Sequence, residues 1–138
     1  MSKLEWDDIY SVGVAGLDEE HKVLFDYIND LRDSLLGKKG KDTVKKVLDG
    51  LIAYTNDHFF HEEIMLYKSG YPDYERHKVE HERLIAEIRG LYVRFHADDA
   101  ESKLISAEII AIITEWLQEH IVKIDKQYSA FLNSKGIK

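Results

Sequence analysis

Seven side chains of this sequence have the types and spacing to bind metal together: His21, His58, Glu62, His77, His81, His120 and Asp125. Neutral imidazole is a good ligand for iron, zinc, copper or nickel, and carboxylates serve the same ions. His58 and Glu62 are four residues apart, as are His77 and His81. On a helix each pair lies one turn apart on one face, so both side chains can reach one centre. Five imidazoles in a dry core would each cost free energy unless hydrogen-bonded or ligated, and no matching set of buried polar partners is visible. Asp125 follows His120 by five residues, which is ~140° around an ideal helix and off its stripe. Either it reaches across to a second metal, or the helix departs locally from regular winding. Two carboxylates among five imidazoles suit two ions bridged by the carboxylates.

Two other chemistries fail on the same residues. In "HEEIM" Met65 stands where a zinc protease needs its second histidine. The Glu-x-x-His pairs of carboxylate-rich di-iron oxygenases are absent from these helices, and the site is rich in nitrogen. With no cysteine in the chain, disulfides, thiolate-held clusters and a catalytic thiol are excluded.

The elements that must position the seven are helices. Apolar residues recur at 3–4 spacing in four segments, expected at about 18–37, 42–68, 72–95 and 99–132. Asp18 reads as the N-cap of the first and Pro72 as the first-turn proline of the third. Residues 1–17 lack helical periodicity and read as an extended arm. The seams run Leu17, His21, Leu24, Ile28, Leu31, Leu35, then Val44, Val47, Leu51, Tyr54, His58, Glu62, Met65. The third and fourth run Tyr74, His77, His81, Leu84, Ile88, Leu91 and Ile109, Ile113, Trp116, His120, Ile124, Tyr128. Short connections make sequential helices antiparallel neighbours, so the fold class is all-α, an up-down-up-down four-helix bundle with an N-terminal arm. That topology brings the start of the first and third helices and the end of the second and fourth to one level. The histidines meet there. His61, about 60° off the His58 direction, is expected at the boundary or surface, and Glu63 outside the seam. His96 is expected in a solvated loop.

The chain has 138 residues, the size of one domain, with 44% hydrophobic and 33% charged residues and a net charge of -7. The negative charge argues against a nucleic-acid surface. No apolar run approaches the ~20 residues that span a bilayer, and "MSKLEWDD" is no signal peptide. A cytoplasmic protein is expected.

At its seven candidate ligands the sequence resembles the hemerythrin family, in particular its bacterial single-domain members. The flanks "SVGVAGLDEEHKVLFDYIN", "HFFHEEIMLYKSGYPDYERHKVEH" and "WLQEHIVKIDKQY" carry the resemblance with them, from Trp6 to Phe131. It implies a non-haem di-iron centre, two Fe ions with an oxo or hydroxo bridge, that binds O2 reversibly for storage or delivery. By the family pattern His77, His81 and His120 hold one iron, which is filled. His21 and His58 hold the other, which keeps an open position, and Glu62 and Asp125 bridge the two. Bulky apolar residues should surround the open position, and Leu24, Phe25, Phe59, Trp116 and Ile121 are the candidates by spacing. Tyr54, Trp116 and Tyr128 are either donors to the ligands or plain core. The expected protein is a monomeric O2 carrier, not an enzyme, with an O2-consuming enzyme as recipient. The competing readings are an O2 or redox sensor and a di-iron redox enzyme acting on peroxide or nitric oxide.

Overall fold

A computed structural model describes residues 3–37, 40–97 and 102–138. After a short 3-10 turn, Asp8–Tyr10, come α1 (Ala15–Leu36), α2 (Lys41–Ser69), α3 (Tyr74–Ala97) and α4 (Ser102–Glu119). The last helix continues without a break through a π-helical turn, His120–Asp125, into α5 (Lys126–Ser134). The described residues contain no strand. α1 packs on α2 and α4, and α3 packs on the same two, which closes a four-helix bundle. No helix among the described residues is long and apolar enough to cross a membrane.

One end of the bundle is filled with aliphatic side chains, among them Leu31, Leu48, Leu51, Ile88 and Ile109, all essentially inaccessible to solvent. The opposite end carries the polar cluster. α2 stops there because Gly70 takes the left-handed conformation, φ 76°. Its N–H bonds Tyr67 and that of Tyr71 bonds Leu66 (3.0 Å), a Schellman ending that costs glycine nothing. Residues 71–73 form a turn, so α3 begins at Tyr74 rather than at Pro72. His96 accordingly lies in the last turn of α3, not in a loop. The expected start of the fourth helix at residue 99 lies outside the described residues.

The beginning of α1 differs from the expectation in an informative way. The helix starts at Ala15, with Val14 as its cap, not at Asp18. Val14 and Leu17 are buried, and burying both draws the helix one turn earlier. Asp18 is then free to hold the arm. Its carboxylate accepts the Ser11 hydroxyl (2.6 Å) and the Val12 N–H (2.8 Å). Asn29 clasps Leu4 at both backbone N–H and C=O, each at 2.8 Å. Trp6, tilted, and Tyr10, edge-on, pack against Phe25 with ring centroids 5.5 and 5.1 Å away. Gly13 has φ +74°, and a Cβ there would sit 2.6 Å from Ser129 Oγ, so the arm passes α5 only at a glycine.

Two seams shift by a residue. On α2 the buried positions are Val44, Leu48, Leu51, Thr55, His58, Phe59, Glu62 and Leu66, with Val47, Tyr54 and Met65 only half-buried. Thr55 is tolerated inside because its hydroxyl returns to Leu51 C=O at 2.7 Å. On the last helix Leu117, Ile121 and Asp125 face inward. Ile124 moves to the margin, because the π turn adds one residue to the winding.

Candidate metal centre

All seven candidate ligands are at most 3% exposed and lie at one end of the bundle. Each comes from an element whose local sequence explains its direction. His21 sits in the second turn of α1, on the stripe of Leu17 and Leu24. His58 and Glu62 share a face of α2 one turn apart, as do His77 and His81 on α3. His120 and Asp125 open and close the π turn. A π turn bonds residue i to i+5 and takes up one residue more than α winding, which brings Asp125 back to the buried face that His120 occupies. Of the two alternatives the sequence leaves for Asp125, local rewinding is therefore what occurs.

The seven fall into two sets. Ligand atoms of Glu62, His77, His81, His120 and Asp125 lie within 4.8 Å of one another, and so do those of His21, His58 and Glu62. The carboxylates divide their oxygens between the sets. Glu62 Oε2 is 3.5 Å from His21 Nε2 and 3.4 Å from His58 Nε2. Its Oε1 is 2.5 Å from His77 Nε2 and 3.2 Å from His81 Nε2. Asp125 Oδ2 is 3.4 Å from His21 Nε2, while Oδ1 is 3.1 Å from His77 Nε2 and 2.8 Å from His120 Nε2. One side thus has three imidazoles and the other two, with both carboxylates between them.

The donor set fits cations. Nε2 of His21, His81 and His120, together with Asp125 Oδ1, are buried with no hydrogen-bond partner among the described residues. Nε2 of His120 and Oδ1 of Asp125 are close, yet neither is aligned to bond the other. Buried polar atoms in this state are costly, and a metal ion between them removes the cost. Without metal the charges settle by proton. Burial pulls the His21 and His77 imidazoles down, but the Asp125 and Glu62 carboxylates overcome it and raise them to about 9 and about 10. Burial alone would push Glu62 up, yet the four surrounding imidazoles hold it well below the usual carboxylate range. Asp125 is lowered too: burial and Glu62 push it up, and His120 and His21 outweigh them.

Further groups surround the seven. The Tyr128 hydroxyl, fully buried, donates to Glu62 Oε2 at 3.0 Å. Phe59 lies flat on His81, centroids 3.7 Å apart, and tilted against His58 at 5.9 Å. Trp116 stacks on His120 at 4.0 Å. Leu24, Phe25 and Ile121 are buried as well, and the ring contacts of Phe25 run to the arm. Tyr54 is half-buried against Tyr27. His61 is exposed, its Nδ1 3.6 Å from Glu20. Two acids that periodicity does not single out also touch the site. Glu20 Oε1 is 2.8 Å from His58 Nδ1, and Glu63 Oε2 is 3.0 Å from His81 Nδ1. The only signal in the sequence is adjacency, since each acid stands beside a candidate ligand in "EEH" and "HEE".

Comparison with known proteins agrees with this geometry. Residues 12–132 match the family described as "Hemerythrin HHE cation binding domain". A bacteriohemerythrin of Methylococcus capsulatus is 34% identical over 125 residues, 91% of this chain and 92% of that protein. A myohemerythrin of Theromyzon tessulatum is 32% identical over 128 residues, 93% of this chain and 92% of its own length. A crystal structure of wild-type hemerythrin superposes with a TM-score of 0.84 at 33% identity, covering 94% of this chain and 97% of that one. A bundle that buries five imidazoles and two carboxylates at one end, matched over nearly its whole length, belongs to the hemerythrin family.

Proposed function

We propose that this protein binds O2 reversibly at a pair of non-haem iron ions, to store or deliver it. The observation that carries the proposal is the division of the Glu62 and Asp125 oxygens between a three-imidazole and a two-imidazole set. His77, His81 and His120 would hold one iron, and His21 and His58 the other. Glu62 and Asp125 would bridge the pair, with a solvent-derived oxo or hydroxo group as the third link. The two-imidazole side has one protein donor fewer, which leaves a position for a small ligand.

When bound, the iron pair supplies the two electrons and the open coordination position that O2 uptake requires. The chain's own residues do the rest. The bridging carboxylates, fully buried, keep both sets at fixed separation. The Tyr128 hydroxyl donates to Glu62 Oε2, the oxygen that faces His21 and His58, and so holds that carboxylate in place. Leu24, Phe25, Phe59, Trp116 and Ile121 wall the site against water, which slows loss of the bound ligand and irreversible oxidation. A site of this kind suits a carrier rather than an enzyme. We place the protein in the cytoplasm as a monomer that supplies an O2-consuming enzyme. An oxygen electrode tests the proposal on anaerobically reduced, iron-loaded protein. Uptake of one O2 per two irons, returned under argon, is expected. Consumption of O2 that argon does not return would favour a redox enzyme.

A further inference from the structure

Hydrogen bonds to the far nitrogens of the five imidazoles are distributed unevenly. His21 Nδ1 and His120 Nδ1 are buried and have no partner among the described residues. His58 Nδ1 and His81 Nδ1 each meet a carboxylate, Glu20 at 2.8 Å and Glu63 at 3.0 Å. Those two imidazoles belong to different sets, His58 to the two-imidazole side and His81 to the three-imidazole side.

The placement follows from helix geometry. Neighbours in a helix point ~100° apart. With His21 aimed at the centre, Glu20 turns toward α2 and reaches His58. With Glu62 aimed at the centre, Glu63 turns toward α3 and reaches His81. Each acid therefore ties a histidine of the next helix, α1 to α2 and α2 to α3. Neither pair is an ordinary surface ion pair, because both imidazoles are 2% exposed and the carboxylates only 26% and 19%. A surface pair has water as an alternative partner, and these ring nitrogens do not.

We propose that Glu20 and Glu63 are positioning residues, one for each metal ion, acting through the Nδ1–H of His58 and His81. The inference rests on the ligand assignment given above. Donating Nδ1–H to a carboxylate fixes the tautomer, so the lone pair lies on Nε2, the atom that faces Glu62. It also orients the ring and makes Nε2 a stronger donor to the metal. A more strongly donating imidazole favours the higher oxidation state. Removing either carboxylate should thus raise the reduction potential of the iron pair and speed O2 release.

The test uses the full-length protein loaded with Zn2+, which is diamagnetic and suits the same ligands. In histidine 15N NMR the loaded protein is expected to show downfield, exchange-protected Nδ1–H protons for His58 and His81. Glu20→Ala should remove the first alone and Glu63→Ala the second alone. Each should weaken zinc binding, measured by chelator competition, by about tenfold or more. Glu20→Gln and Glu63→Gln keep a carbonyl acceptor without the charge. They should retain the proton signals while the iron-loaded variants show a raised midpoint potential. Zinc takes no part in O2 binding, so this outcome is independent of whether the iron form takes up O2. Alanine variants that keep both proton signals and parental zinc affinity would overturn the proposal. So would glutamine variants with an unchanged potential.

Discussion

At the scale of the residue, the centre is a balance of protons against metal. In the metal-free protein His21 and His77 are raised to about 9 and about 10. Their contribution to stability is fully present below the ordinary imidazole value of 6.5 and is lost as pH rises through 9 to 10. Glu62 and Asp125 are depressed, so their contribution is present above their ordinary values of 4.5 and 3.8 and is lost as pH falls further. Metal must displace protons from the imidazoles. Apparent metal affinity should therefore climb between pH 6 and 9, and chelator competition across that range checks it. A flat profile would mean that the imidazoles are neutral without metal. The His58→Ala variant should bind one metal fewer and lose O2 uptake, while circular dichroism shows the helices kept. The seven ligands are legible in the sequence because histidine and glutamate on an apolar seam have no packing reason to be there. Glu20 and Glu63 are not, because an acid 100° off the seam has the periodicity of a solvated face. Only the neighbouring helix reveals its partner.

At the scale of the element, the π turn solves a problem of spacing. His120 and Asp125 are five apart, and α winding would separate them by ~140°. The π turn brings both inward and carries Tyr128 onto Glu62. Five π steps and four α steps each make about one turn. Deleting Val122, which lies on the outer side of this turn, should restore an α ladder without rotating α5. The variant is expected to bind two metals and to melt no lower than the parent without metal. If it binds none, the π geometry itself is required, beyond the direction it gives to Asp125. The sequence shows the misfit at Asp125 but leaves two solutions open, since spacing cannot say whether a helix rewinds. The start of α1 misleads for a related reason. Asp18 has the type of an N-cap, yet its partners, Ser11 and Val12, lie in an arm whose path only tertiary packing sets.

At the scale of the molecule, the bundle has two unlike ends. One is held by aliphatic packing and the other carries a cluster in which several buried nitrogens and one carboxylate oxygen have no partner among the described residues. Metal should stabilise the second end selectively, since it binds the folded state and not the unfolded one. Chelation is expected to lower the melting temperature and to speed amide exchange around His21, His58, His77 and His120. The aliphatic ends of α2, α3 and α4 should stay protected. Uniform loss of protection would mean that the metal holds the whole bundle rather than one end. The bundle and its antiparallel order are readable from four periodic segments with short connections. The docking of the arm is not, because Asn29 clasping Leu4 and Gly13 passing Ser129 are contacts between residues far apart in sequence.

The proposed iron ions are inequivalent, one held by three imidazoles and one by two, with the small ligand on the second. Mössbauer spectroscopy of 57Fe-loaded, O2-saturated protein tests it most directly. Two quadrupole doublets of equal area, from two irons per chain, are predicted. A single doublet would mean two equivalent irons, and one iron per chain would mean that the two imidazole sets do not each hold a metal.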